Sequence, residues 1–315
     1  MTIVSRIQRQ LPIRLLKRHI HVVLKYGSIR KYSNAICALY YYLRGTSVIS
    51  TMPLFLKVEI SRYCLVDCLS CKIQKTKDFY PFDKFKMLID DFKDTVFMVQ
   101  LYEIGEPLHH DQVIDCIRYS HASHYATVIS SSLSIQKPDK FWNDLVASGL
   151  DRLIVAIDGI TKLVYQQYRR KGDLELVMSN LKKVLSHRKH IDSKLIVEWQ
   201  MIDFPWNRCE QEPARRLAYE LGCDDFSLIP DADIQRKKYE QTGIIREQNC
   251  IWSYVLLLVN AFGDVIPCFK PGCHPGVLGN LNESSFNNIW NGEDIRAIRD
   301  PHQISCRLGC CSCRE

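Results

Sequence analysis

From residue 54 to 230 the apolar positions follow two alternating periods. Short runs at 54–60 (LFLKVEI), 95–103 (TVFMVQLYE), 125–131 (YATVISS), 151–157 (DRLIVAI), 193–201 (SKLIVEWQM) and 224–229 (DDFSLI) read as strands. Between them, 82–91, 109–122, 137–148, 161–190 and 207–221 read as helical, the fourth broken near Gly172. Six β/α units in a row predict a parallel sheet with helices outside it. Right-handed crossovers curl such a series into a partial (β/α)6 barrel, with chemistry at the C-terminal ends of its strands.

The flanks differ. Ile7, Leu11, Leu15 and Leu16 recur at helical spacing among basic residues, and Gly27 divides residues 5–44 into two predicted helices. After about residue 232 a polar stretch leads to Cys250, a hairpin-like pair at 252–260 and 264–267, a helix at about 284–298 and a Cys-rich tail. Three units result: a helical segment at 1–50, the β/α body at 51–232 and a small metal-stapled unit at 233–315.

Charge sharpens this division. Residues 1–50 hold nine Lys/Arg and no Asp or Glu, while the rest has 33 basic and 35 acidic residues. The protein is thus a near-neutral body with a basic N-terminal segment, which argues against nucleic-acid binding by the whole chain. The segment alone fits three roles: a helical cover docked on the barrel, a membrane-surface contact, or a binding arm for a leader peptide or carrier. The longest apolar run, Ile251–Phe262, is too short to span a membrane and reads as a buried strand. Arg14, Lys17 and Arg18 interrupt the only stretch resembling a signal-peptide core. The expected location is cytoplasmic, with peripheral contact at the inner membrane face open to the basic segment.

Cysteine usage carries the chemistry. Of 14 cysteines, three lie in Cys64-Leu-Val-Asp-Cys68-Leu-Ser-Cys71, directly after the first strand, and seven lie between 250 and 313. Tight spacing in a cytosolic chain points to metal rather than disulfides. Three thiolates on one loop can each hold one iron of a [4Fe–4S] cube and leave the fourth iron open. Zinc with a distant fourth ligand is the alternative, since no Cys or His occurs between 72 and 108. Cys37, Cys116, Cys209 and Cys223 fall in or at the ends of helical patterns and read as small core residues.

The C-x3-C-x2-C run is joined by Gly105-Glu106-Pro107 at the end of the second strand, Ala156-Ile157-Asp158-Gly159 at the end of the fourth, and Tyr168-Arg169-Arg170-Lys171-Gly172-Asp173 beyond it. In this order and placement the chain, from about residue 51 to 315, resembles the radical S-adenosylmethionine enzymes. The resemblance implies that Cys64, Cys68 and Cys71 ligate a [4Fe–4S] cluster and that S-adenosylmethionine chelates its open iron. Gly105, Glu106 and Pro107 then match the GEP motif, whose carboxylate binds the cofactor's ammonium. Asp158 belongs to a second cofactor-binding motif, and Arg169 or Arg170 suits the methionine carboxylate. Where the family often has S-T-N-G, this chain has Ser130-Ser131-Ser132-Leu133 and lacks the Asn and Gly, although Ser132 could supply a hydroxyl for the cofactor.

The C-terminal unit resembles the SPASM or twitch extension of the same family. Cys250, a glycine at 263 and Cys268 give its opening pattern, and Cys310 and Cys313 form the C-x2-C of the tail. The resemblance implies one auxiliary [4Fe–4S] cluster on Cys250, Cys268, Cys310 and Cys313, with Cys273, Cys306 and Cys311 as spare candidates and a second cluster or a structural zinc knot as alternatives.

The function this implies is a radical S-adenosylmethionine oxidoreductase. An external donor such as flavodoxin or ferredoxin reduces the cluster, and a 5′-deoxyadenosyl radical abstracts hydrogen from a substrate. The substrate is a peptide or protein, or alternatively a small sugar or alcohol. The reading from another class is a non-enzymatic zinc module with a nucleic-acid-binding arm, which would have no need of Glu106 and Asp158.

Overall fold

The computed structural model describes residues 13–71, 75–231, 250–267 and 276–300. Helices α1 (Ile13–Tyr26) and α2 (Ile29–Arg44) meet at Gly27, as the break in the pattern predicts. Ser28 caps α2 by accepting from the Lys31 N–H, and Gly45 ends it in the left-handed region at φ 67°. The β/α series follows: β1 (Phe55–Val58), β2 (Asp67–Cys68), α3 (Phe82–Asp91), β3 (Met98–Gln100), α4 (Val113–Ala122), β4 (Ala126–Ser131), α5 (Asp139–Val146) and β5 (Arg152–Ala156). It continues with α6 (Lys162–Tyr168), β6 (Arg169–Arg170), α7 (Leu174–His190), β7 (Ile196–Asp203), α8 (Arg208–Leu221) and β8 (Asp225–Pro230).

β1, β3, β4, β5, β7 and β8 pair in parallel in that spatial order, which is the expected six-strand β/α sheet. Alternation along the strands builds two apolar layers. Leu56, Val58, Val99, Ile129, Leu153, Val155, Val197 and Trp199 share one cluster with Phe85, Ile117, Trp142, Leu145, Val177 and Leu181 of the helices. Met98, Val128 and Ile154, one residue out of step, pack instead with Val22, Tyr26, Ala38 and Tyr42 of the N-terminal helices. The α1–α2 pair therefore covers the end where the strands begin. Tyr26 Oη donates to Asp151 Oδ1 at 2.5 Å, and Lys31 Nζ donates to the His124 carbonyl at 2.9 Å. Asp151 directly precedes β5, and His124 lies two residues before β4.

The C-terminal segment joins the sheet directly. After a helical turn α9 (Trp252–Val255), β9 (Leu256–Val259) pairs in parallel with β1 over four residues. The antiparallel β10 (Asp264–Ile266) and β11 (Gly279–Asn280) complete a nine-stranded sheet. Two expectations are corrected here. The first four residues of the predicted 252–260 strand form a helical turn, because Tyr254 and Val255 are buried against the N-terminal helices rather than in the sheet. The single helix expected at 284–298 is two, α10 (Phe286–Trp290) and α11 (Glu293–Arg299), divided at Gly292. The turn at 262–264 is as expected: Gly263 has φ +89°, and a Cβ there would meet Asn282 Nδ2 at 2.5 Å.

These last helices dock on the linker before β1. Trp290 Nε1 donates to the Thr51 carbonyl at 2.8 Å. The fully buried Arg299 donates to the carbonyls of Ser253 and Trp290, with its guanidinium over the Tyr254 and Trp290 rings. Among the described residues, no helix is long and apolar enough to cross a membrane.

Candidate active site

The cysteine loop leaves the C-terminal end of β1 and is tied on both sides to other strand ends. On one side, the Glu106 N–H donates to the Tyr63 carbonyl at 2.8 Å, next to Cys64. Here Gly105 meets residues 61–62 so closely that a Cβ would fall 2.0 Å from the Ser61 carbonyl oxygen, and only glycine fits. On the other side, β2 pairs antiparallel with β6, setting Cys68 opposite Arg169 and Asp67 opposite Arg170. The Leu69 N–H adds a bond to the Tyr168 carbonyl at 3.0 Å.

Glu106 is buried and held by three donors. Ser132 gives it both the backbone N–H, at 2.8 Å, and the hydroxyl, at 2.7 Å, both to Oε2. The Leu108 N–H reaches Oε1 at 3.3 Å. Pro107 opens a short 3-10 turn, Pro107–His109, that carries this loop away from the strand end. Ser132 thus directs its hydroxyl to Glu106.

Asp158, past the end of β5, is also buried. Its Oδ2 accepts from Arg169 Nε at 2.6 Å and its Oδ1 from the Ile202 N–H at 2.7 Å. Arg169 Nη1 in turn reaches Cys68 Sγ at 3.6 Å. Arg170 is exposed, so the two adjacent arginines, equivalent in sequence, are separated by the structure.

The electrostatics follow from this packing. Burial pushes the Cys64 thiol up to about 11, and the nearby Glu106 charge adds to the effect. Burial also raises Cys68, while the Arg169 charge acts in the opposite sense. Cys68 stands within electrostatic reach of Cys71 and in turn influences Cys64, with Lys75 and Arg169 supplying positive charge beside it. Among the described residues, no three Cys, His, Asp or Glu side chains converge to hold a single ion. The soft thiolate set and flanking cations fit an iron–sulfur cluster.

Of the expected auxiliary ligands, Cys250 is buried against Ile295 and Ile298. Cys268, Cys310 and Cys313, with Cys273, Cys306 and Cys311, lie outside the described residues. The reading of the scattered cysteines as core residues holds for Cys116 and Cys223, which are buried. It is corrected for Cys37 and Cys209, which lie on outward faces of α2 and α8 and are exposed.

Sequence motifs missed a second polar group on the concave face of β1. Lys57 forms an ion pair with Glu103, and its ammonium lies 4.9 Å from the centre of the Tyr102 ring. Glu59, fully buried, accepts from Arg62 Nη1 and from the Ala261 N–H, both at 3.2 Å, and so joins β1 to the C-terminal hairpin. The signal was present in the strand itself. Lys57 and Glu59 alternate with Leu56, Val58 and Ile60, so both charges had to face the side opposite the helices.

Residues 250–314 match the SPASM family, described as an iron–sulfur cluster-binding domain. The structure of Streptococcus suis SuiB bound to precursor peptide SuiA is similar with a TM-score of 0.65 and 13% identity, over 93% of this chain and 78% of that one. Native anSMEcpe with bound AdoMet and Cp18Cys peptide aligns with a TM-score of 0.54 and 10% identity, over 79% of this chain and 84% of that one. BtrN in complex with AdoMet and 2-DOIA aligns with a TM-score of 0.51 and 14% identity, over 84% and 94%. No curated protein sequence matches the chain. The chain thus combines the radical S-adenosylmethionine enzyme fold with a C-terminal SPASM extension. Two of these structures hold AdoMet, and the matched C-terminal family is described as binding an iron–sulfur cluster.

Proposed function

We propose that this chain is a radical S-adenosylmethionine oxidoreductase acting on a peptide or protein. The observation that carries the chemistry is the convergence of three strand ends on one loop. The cysteines follow β1, Glu106 follows β3 and is gripped by Ser132 after β4, and Asp158 follows β5 and grips Arg169 against Cys68. With Cys64, Cys68 and Cys71 as its ligands, a reduced [4Fe–4S] cluster and S-adenosylmethionine supply one-electron cleavage of the cofactor and hydrogen abstraction from substrate.

The chain's own residues do the positioning. Glu106, fixed by three donors, presents a carboxylate to the cofactor's ammonium. Arg169 offsets the negative charge of the thiolates at Cys68, and Asp158 fixes the guanidinium plane through Nε. Gly105 and Pro107 hold the Glu106 loop against the cysteine loop. Arg170 is open to solvent beside the same loop, where it can meet the methionine carboxylate or the substrate. The SPASM segment provides for an auxiliary [4Fe–4S] cluster, with Cys250, Cys268, Cys310 and Cys313 as its ligands. Such a cluster would accept an electron from the substrate during net oxidation, and a flavodoxin or ferredoxin would supply the first one.

The peptide reading is supported by two of the similar structures, SuiB and anSMEcpe, which hold peptides. BtrN, with 2-DOIA bound, favours a small metabolite as the second reading. The reconstituted enzyme, given dithionite and S-adenosylmethionine, separates them. Extract of the source organism is divided by ultrafiltration, and each fraction is tested for stimulation of 5′-deoxyadenosine formation. Stimulation by the protease-sensitive macromolecular fraction supports a peptide or protein. Stimulation confined to the small-molecule fraction contradicts it.

A further inference from the structure

α1 and α2 are amphipathic in the sense opposite to that of a simple cover. On α2, Lys31, Ala38 and Tyr42 face the protein, and Ile29, Ile36 and Tyr40 each stand two positions earlier. Two positions are about 200° of helix rotation, so this second row points away from the barrel. Ile29 is 88% exposed and Ile36 69%. α1 repeats the arrangement: Val22 and Tyr26 are buried, whereas Ile20 and Leu24, again two positions earlier, are exposed, Leu24 to 70%. A solvated outer face would carry polar residues at these positions.

The charge of the same segment indicates what covers this face. Residues 1–50 contain nine basic and no acidic residues. Lys25 and Arg30 pair with Asp151 and Asp94 at the barrel end, and Lys31 is buried. Arg44 is exposed beside Tyr40, and Arg14, Lys17 and Arg18 occupy the first two turns of α1. Lys17 stands one turn before Ile20 and Arg44 one turn after Tyr40, so a basic residue closes each end of the aliphatic and tyrosine row, a pattern complementary to an apolar layer under an anionic one. We infer that the α1–α2 pair docks the protein on an anionic lipid surface. Tyr26, Lys31 and Asn34 fasten this pair to residues 151, 124 and 52, which precede β5, β4 and β1. The lipid face therefore lies at the end of the barrel opposite the cysteine loop, and docking leaves the site open to the aqueous side.

The test uses the full chain loaded with iron–sulfur clusters and sedimentation with vesicles. Phosphatidylcholine vesicles containing one third phosphatidylglycerol are compared with pure phosphatidylcholine. The expected result is at least about tenfold more protein on the anionic vesicles, weakened by added salt. Leu24→Glu/Ile36→Glu and, separately, Arg44→Glu should reduce binding with no change in iron content. Amide exchange of the wild type on the same vesicles gives a readout that needs no variant, and slowing within 13–44 is expected. No binding, equal binding to both vesicle types, or slowing only outside 13–44 overturns the inference. So does a dimer in solution that the Leu24→Glu/Ile36→Glu variant dissolves, because a second copy then covers the face.

Discussion

Ser132 donates two hydrogen bonds to a single oxygen of Glu106, one from its backbone and one from its hydroxyl. The carboxylate that would meet the cofactor's ammonium is thus oriented before any cofactor arrives, and the neighbouring strand does the orienting. Ser132→Ala removes only the hydroxyl bond, a charge-assisted one worth about 1.5–3 kcal/mol. The expected result is S-adenosylmethionine binding weakened about tenfold, with the clusters retained. Glu106→Gln should weaken it further. Equilibrium titration of the cluster-loaded proteins checks both.

Asp158, fully buried, and the largely buried Arg169 form an ion pair that also reaches Cys68, a proposed cluster ligand. Asp158→Asn leaves the Arg169 charge uncompensated, at a cost of about 3 kcal/mol of stability. The variant should melt lower than wild type even without iron. Asp158→Asn/Arg169→Gln should recover part of the loss, as a double-mutant cycle in urea would show.

Lys31 sets a pH dependence at the other end of the barrel. Burial lowers its ammonium from 10.5 to about 8, with Asp94 opposing. Between pH 8 and 10.5 the unfolded chain binds the proton and the folded one does not, so this group makes stability rise with pH across that window. Falling pH removes up to about 3 kcal/mol of that contribution. The difference in urea midpoint between wild type and Lys31→Met should therefore change between pH 8 and 10, with the wild type gaining on the variant as pH rises.

The four cysteines outside the two clusters divide by burial. Cys37 and Cys209 are exposed, whereas burial pushes the thiols of Cys116 and Cys223 up to about 12. Iodoacetamide on the native cluster-loaded protein should modify Cys37 and Cys209 and spare the other pair. Peptide mass spectrometry reads this directly, and alkylation of Cys116 at a similar rate would contradict the packing around α4.

The body of the fold was legible because its strands and helices have different periods. Phe82–Asp91 forms over the predicted residues, and the six strands fall on the six apolar runs. The run from Ile251 misled because a continuous apolar stretch has no period, so a buried helical turn and a buried strand look alike. The site was legible as motifs but not as contacts. Sequence could not choose between Arg169 and Arg170, since the choice depends on the register of β6 against β2. Nor could it show Ser132 turned toward Glu106, a contact across 26 residues. Cys37 and Cys209 were misread because helical spacing gives periodicity without telling which apolar face a helix turns inward.

The central claim is that the loop of Cys64, Cys68 and Cys71 holds a [4Fe–4S] cluster that acts on S-adenosylmethionine. After anaerobic reconstitution, iron and sulfide are counted per chain, and 5′-deoxyadenosine is measured with dithionite and S-adenosylmethionine. The account predicts about eight irons in the wild type. In Cys64→Ala/Cys68→Ala/Cys71→Ala it predicts about four, with 5′-deoxyadenosine abolished. Zinc in place of iron, or 5′-deoxyadenosine formed equally well by the triple variant, would contradict it.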